Sequence, residues 1–313
     1  MQDHVYLKLT ITRLRPPALV VLLCVLQSSP FSPTFAANPM IAIKLSPQQE
    51  QRCRDVLNGA LVGEDVIACL HAAEALTEAG EGQRVVQALR KRLNTQRDDR
   101  WRCGLARELA RAGDREQVPV LAKGLASPDV AVQIMAAESL YKIGAVGDET
   151  LVRERMKAED PILQLMAAAV VARHGDQAAM RLIRRHLAGG KPDACKIAAW
   201  LVEQIGSADD LPQLGANLAH KNLGDAGARS FTENAIACLG DPNAQAILER
   251  NLDQPDTEPR ALAAECAGRR GQAALAGKLE KMLDDRQLDV RVRAAQALLR
   301  LSGKARPGLS KAA

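Results

Sequence analysis

One pattern recurs along this chain at a nearly fixed spacing, and that spacing limits the folds open to it. The runs "ACLHAAEALTEAG", "WRCGLARELARAG", "VQIMAAESLYKIG", "LQLMAAAVVARHG", "ACKIAAWLVEQIG", "RSFTENAIACLG" and "EPRALAAECAGRRG" end at Gly80, Gly113, Gly144, Gly175, Gly206, Gly240 and Gly271. An eighth, "DVRVRAAQALLRLSG", carries Ser302 at the same place. Successive anchors lie 33, 31, 31, 31, 34, 31 and 31 residues apart. Seven residues before the anchor stands Ala73, Ala106, Ala137, Ala168, Ala199, Ala264 or Ala295, and three residues further on comes Leu76, Leu109, Leu140, Val171, Val202, Ala267 or Leu298. A fixed period of this length marks a repeat array.

Each unit reads as two helices. On the last copy's helical wheel Arg293, Gln296 and Arg300 share one narrow polar arc, while Val290, Val292, Leu298, Leu299 and Leu301 spread over most of the rest. Ala294 and Ala295 sit among the leucines, where a small side chain lets a second helix come close. After the anchor, Leu121 and Leu125, Val152 and Met156, Ile183 and Leu187, Leu214 and Leu218, Leu248 and Leu252, and Leu279 and Leu283 repeat at a spacing of four, one face of a second helix. Glycine in the left-handed conformation ends the first helix, and Asp114, Asp148, Asp176 and Asp241 cap the second. A single helix pair cannot bury its own apolar faces, so the pairs stack, and the alanines mark where they seat.

These runs, "SPDVAVQIMAAESLYKIG" above all, resemble HEAT repeats of the short type first noted in phycobilisome lyases, over roughly 65–303. The resemblance implies an all-α, right-handed α-solenoid of about eight helix–turn–helix repeats. It leaves function open, because such repeats serve in scaffolds, adaptors and enzymes. The expected role is a non-enzymatic scaffold or adaptor that presents its second-helix surface, with Arg115, Lys123, Arg181, Arg184 and Arg185, to a partner protein. The alternatives are a bilin-lyase-like enzyme subunit and a cytoplasmic nucleic-acid binder similar to the HEAT-type alkylation-repair proteins.

The N-terminus reads as an export signal. Lys8, Arg13 and Arg15 precede the apolar run 17–26, and Thr34 and Ala36 fit a small-x-small cleavage site. The expected organisation is a signal peptide at 1–36, a capping helix region at 37–64, repeats over 65–303 and a basic tail at 304–313. That places the mature chain in the periplasm or outside the cell. A start at Met40 would instead leave it cytoplasmic. No later segment is apolar enough to span a membrane. Removing 1–36 lowers the net charge from +5 to +3, which gives little reason to expect nucleic acid. The Arg-rich stretch 84–115 is either a patch for an anionic partner or the solvated face of two helices. Ser46 and Gln49 form a capping box, and Asp65 caps the following helix. Cys53 and Cys69 then lie nearly equidistant from the turn between those helices and become candidates for a disulfide. The other mature cysteines read as small buried hydrophobes.

Chemical motifs are sparse. There is no G-x-S-x-G, no phosphate-binding loop and no H-E-x-x-H, and His71, His174, His186 and His220 fall in different repeats. No metal and no cofactor is expected. The sixth repeat departs from the others. Three extra residues fall in 219–232, and Glu233 stands where the other repeats place a small residue. His220, Lys221, Arg229, Phe231 and Glu233 are therefore candidate partner contacts, together with Arg181, Arg184 and Arg185 on the second-helix surface. A carboxylate at a packing seam is costly unless paired, so Glu233 is expected to meet Lys221 or Arg229, or to turn outward. Finally, Pro307 and Gly308 stop any second helix after Ser302. The last repeat is half a unit, a face open to self-association.

Overall fold

The computed structural model describes residues 42–189, 191–219 and 226–306, all within the second of the two compact units into which the chain divides, 33–313. The expected signal segment, His220, Lys221 and most of the basic tail lie outside the described residues.

Among the described residues the fold is helical throughout, with no strand. Helix α1 (Pro47–Val62) comes first, then α2 (Val66–Glu78), α3 (Gly82–Thr95), α4 (Asp99–Arg111), α5 (Val118–Leu125), α6 (Val130–Ile143), α7 (Glu149–Arg155) and α8 (Pro161–Ala172). The second half holds α9 (Gln177–Gly189), α10 (Pro192–Ile205), α11 (Leu211–Ala219), α12 (Ala226–Cys238), α13 (Ala244–Asn251), α14 (Thr257–Arg269), α15 (Ala276–Lys281) and α16 (Leu288–Leu301). Even-numbered helices are the first helices of the repeats, and α3 to α15 the second ones.

The helix boundaries follow from local chemistry. Ser46 accepts from Gln49 N while the Gln49 side chain accepts from Ser46 N, the expected capping box. Asp65, Asp148 and Asp176 accept from the amides of Ala68, Leu151 and Ala179. Gly80, Gly113, Gly144, Gly175, Gly240 and Gly271 all have φ between 66° and 107°, the left-handed cap. Two anchors differ. Gly206 is extended, with φ −81° and ψ −170°, and at the last anchor Ser302 stays helical while Gly303 takes the positive φ of 71°.

Packing bears out the seam reading. Ala73, Ala106, Ala137, Ala168, Ala199, Ala264 and Ala295 are fully buried, and consecutive first helices lie against one another. The closest approach is at Gly268 in α14, where an added Cβ would lie 2.6 Å from the Ala297 Cα of α16. The second-helix residues Leu121, Ile183, Leu187, Leu214, Leu248 and Leu279 are also fully buried. Each contributes about 1.5–3 kcal/mol relative to an exposed side chain.

The array does not end open. The second helices α3, α5, α9 and α13 each sit between their own first helix and the first helix of the next repeat, and α1 takes that same position between α16 and α2. The half-unit at the C-terminus is thus completed by the lone helix at the start of the array. Residues 53–109 and 237–305 share one apolar core. The closing seam is tied by backbone as well: Ile43 N donates to Leu301 O at 3.1 Å and Arg306 N to Glu78 O at 3.0 Å. The first helices close a ring from α2 round to α16, and the expected self-association face of the last repeat is covered by α1.

Candidate functional site

Ring closure gives the first helices an inner face. Six residues before each anchor stand Glu74, Arg107, Glu138, Ala169, Trp200, Asn234, Glu265 and Gln296. Two residues before it stand Glu78, Arg111, Lys142, Arg173, Gln204, Cys238, Arg269 and Arg300. Positions four apart share a helix face, and in the ring that face points to the hub. Charges that would be solvated on an open array are therefore buried. Arg293 and Arg300 are each 4% exposed, and Gln296 and Glu108 are fully buried.

The hub holds together because its charges pair. Arg300 donates through Nε and Nη2 to the Glu78 carboxylate at 2.8 and 2.7 Å, and Gln296 Nε2 donates to the same group at 3.0 Å. Arg293 bridges Glu74 and Glu265 at 3.2 and 3.4 Å. Arg111 meets Glu74 at 2.9 Å, and Lys142 meets Glu138 at 2.7 Å. Arg107 pairs with Glu108, and Arg269 with Glu203 across two repeats. His71 Nδ1 lies 2.5 Å from Asp289 Oδ1, joining the first repeat to the last. Burial opposes ionisation of Glu74, but Arg111 and Arg293 outweigh it and hold the carboxyl well below the usual range. Burial likewise opposes ionisation of Glu138, and Lys142 and Arg107 bring it down to about 2. Glu203 goes the other way: burial outweighs Arg269, Glu265 adds repulsion, and the carboxyl is pushed up to about 7.

Three of the four described aromatic residues also gather on this inner side. Tyr141 meets Trp200 edge to face with centroids 5.9 Å apart, Lys142 lies over Trp200 at 5.3 Å and Lys196 over Phe231 at 5.3 Å. Both cations are also bound to a carboxylate, Lys142 to Glu138 of its own helix and Lys196 to Glu258 of α14.

Glu203, Cys238 and Cys266 bring three metal-ligand atoms within 4.8 Å of one another. Both sulfurs are bonded to each other in a Cys238–Cys266 disulfide, and the Arg269 guanidinium rests on Glu203 and on Cys238 Sγ. A cation there would have to displace an arginine and break a covalent bond, so the residues as placed do not fit a metal ion. The expected Cys53–Cys69 disulfide is corrected: both thiols are free and buried, and Cys69 Sγ turns to the Leu61 carbonyl at 3.1 Å. Burial pushes the Cys53 thiol up to about 12 and the Cys103 thiol up to about 11, which keeps both protonated and unreactive.

The candidate contacts of the sixth repeat separate. Phe231 is buried beneath Lys196 and packs in the core. Arg229 is exposed. Glu233 is half-buried and paired with Arg250 of α13 at 3.0 Å, a partner that the expected pairing with Lys221 or Arg229 left out. The seam itself is taken by fully buried Asn234, which accepts from Asn251 Nδ2 at 2.9 Å. The Arg-rich stretch 84–115 is largely consumed internally. Arg90 binds Asp114, Arg92 the carbonyls of Gly63 and Glu64, and Arg107 and Arg111 enter the hub. Arg184 donates twice to Asp210, at 2.6 and 3.1 Å, so it braces α9 against the next repeat. Arg181 and Arg185 stay exposed on α9.

Between the consecutive second helices α7 and α9 runs a groove of about 770 Å³. Met156, Ala178 and Leu182 supply its apolar surface, and Arg153, Lys157, Arg185 and His186 its polar rim. His186 Nε2 lies 3.0 Å from Gln164 Oε1 on α8, and burial with Arg185 nearby lowers its pKa, so it is uncharged at neutral pH. A second depression, of about 750 Å³, lies between α13 and α15; carboxylates line it, and two of its cations are spent on them, Lys278 on Asp253 and Arg260 on Asp285. Sequence reasoning reached Arg185 but missed Lys157 and the groove, because nothing in the period says which neighbouring second helices splay.

No family model and no curated protein matches the chain. Solved structures do. Human deoxyhypusine hydroxylase in complex with glycerol is 17% identical with a TM-score of 0.42, over 82% of this chain and 97% of that one. The complex of CpcE and CpcF of phycocyanin lyase from Nostoc sp. PCC7120 is 19% identical with a TM-score of 0.32, over 82% and 95%. An engineered protein is 19% identical with a TM-score of 0.25, over 81% and 97%. Such likeness assigns this chain no reaction. The expectation of a non-enzymatic chain, which rested on missing motifs, is corrected: the similar structures include a hydroxylase and a phycocyanin lyase. Among the described residues no helix is long and apolar enough to cross a membrane.

Proposed function

We propose that this chain binds a partner protein through the outer, second-helix surface of its ring. The observation that carries this reading is the hub. In an open array the concave first-helix face is the natural binding surface. Here that face is occupied by its own charges: Arg111, Arg269, Arg293 and Arg300 each rest on a carboxylate of another helix, Lys142 on Glu138 of its own helix, and Arg173 on the carbonyls of Tyr141 and Lys142. Opening it to a ligand would strip buried ion pairs of their partners, which is strongly unfavourable. The outer surface has no such cost.

The test is affinity capture of the full chain from its native host, with cross-linking and mass spectrometry. Cross-links to the captured protein are expected on α1 and on the second helices. Cross-links concentrated on the inner residues of α4, α6, α10 and α14 would overturn the reading. The intact mass of the captured protein, before and after incubation, reads any covalent change made on it.

A further inference from the structure

We propose that the groove between α7 and α9 is the recognition site, and that its occupant is an acidic segment of a partner protein bearing one apolar side chain between its carboxylates. This deepens the outer-surface reading and rests on it.

The argument is one of unspent charge. Most described cations have a partner for the side chain. Among the described residues the side chains of Lys157, on the α7 side, and of Arg181 and Arg185, on α9, have no hydrogen-bond or ion-pair partner, and unlike the other unpaired cations, Lys91, Lys123 and Lys281 among them, Lys157 and Arg185 line one groove free of carboxylates. Arg153 is shared between Glu149 and Asp176 at the far end. No carboxylate lines the groove. Its apolar surface is only partly covered: Met156 and Leu182 are half-buried against the core, and Ala178 is exposed. The volume is that of an ordinary ligand cleft. Two unpaired cations lining one groove with apolar side chains are complementary to carboxylates flanking a leucine-like anchor, the arrangement by which charged rims steer partners and apolar centres hold them. The depression between α13 and α15 has similar size but is lined by the carboxylates of Glu249, Asp253, Asp284 and Asp285, which would repel an acidic segment, and that is why it is not the choice.

The probe is a fluorescein-labelled twelve-residue peptide of aspartate and glutamate with one central leucine, read by anisotropy against the full chain at low salt. Saturable binding is expected, weakening as salt rises. The double substitution Lys157→Glu/Arg185→Glu is expected to weaken it by at least about tenfold. Ala178→Trp, which fills the groove without touching a charge, is expected to abolish it. Lys123→Glu, on another exposed second-helix position, is expected to change nothing. The same peptide with serine for leucine is expected to bind markedly less. Four results would overturn the proposal: no binding to the parent chain, binding unaffected by Ala178→Trp, equal binding of the serine peptide, or a single-stranded oligonucleotide outcompeting the peptide at the same residues. If the peptide fails while the captured host partner cross-links to other second helices, the groove falls and the outer-surface reading stands. Cross-links to the inner helices would remove both.

Discussion

Replacing Glu78 by alanine attacks the ring at its closing seam. Glu78 belongs to the first repeat, and the groups it receives belong to the last. Arg300 donates to it twice, at 2.8 and 2.7 Å, and Gln296 once, at 3.0 Å. The two charged side chains are 2% and 3% exposed. Glu78→Ala leaves a guanidinium buried without its counter-ion, a change that costs about 3–5 kcal/mol. That is a large fraction of the roughly 5–15 kcal/mol that holds a typical domain together. The double substitution Glu78→Leu/Arg300→Leu removes both charges and is expected to recover most of the loss, since apolar replacement of a buried pair is close to neutral. A residue of about 1–3 kcal/mol remains, from the Gln296 amide left without its acceptor. Urea denaturation of the parent and these two variants gives the energies. Hydrogen exchange gives the location: 43–62 and 288–306 should lose protection together, because one seam holds both. A cost below about 1 kcal/mol for Glu78→Ala, as for an exposed pair, would refute the reasoning, and so would lost protection confined to 66–95.

Four further outcomes follow from the packing, the hub and the disulfide. Gly268→Ala and Ala137→Leu each push atoms into a backbone approach and are expected to cost about 1–3 kcal/mol, with exchange rising first at α14–α16 for the former and at α4–α8 for the latter. Glu74, Glu138 and Asp289 titrate below the usual carboxylate range when folded, so the unfolded chain binds more protons and stability falls as pH drops from the usual carboxylate range through about 2, the Glu138 value. Glu203 has the opposite sign: its raised value favours the fold at low pH and loses that contribution as pH rises toward about 7, so Glu203→Gln should flatten this part of a melting profile against pH. Reducing the Cys238–Cys266 disulfide, which closes a loop of 28 residues, is expected to cost about 3–4 kcal/mol, measured as urea stability with and without reductant.

The repeat unit was legible because it is local. A helix pair is written in thirty-odd residues by glycine anchors, aspartate caps and leucines four apart, and each of these lies within its own repeat. Gly206 departs from the rule without disturbing the period, since an extended residue ends α10 as well as a left-handed one does. Closure was not legible, because no local pattern says that a half-unit at residue 302 meets a lone helix at residue 47. Both halves were visible: Ser46 and Gln49 started an unpaired helix, and Pro307 and Gly308 ended an unpaired one. What joins them is a contact more than 200 residues apart in sequence. The hub went unread for the same reason. The polar arc of Arg293, Gln296 and Arg300 looks like a solvated face until a ring turns it inward. The charged residues recurring two positions before the anchors were the available signal. Glu233 misled through register: with a carboxylate at the aligned position, the neighbouring Asn234 takes the buried place and Glu233 swings to Arg250.

The central claim is that the array closes on itself, and a zero-length cross-link tests it on the unmodified chain. Lys304 Nζ lies 3.5 Å from Glu50 Oε2, joining the end of α16 to the first turns of α1. A carbodiimide couples an amine to a carboxylate only when the two touch. Treated as a dilute monomer and digested, the chain should yield a peptide pair joined by an amide between Glu50 and Lys304, alongside the Lys278–Asp253 link between neighbouring second helices. Recovery of the Lys278–Asp253 link without the Glu50–Lys304 link, in a monomer that is otherwise folded, would show an open array and contradict the account.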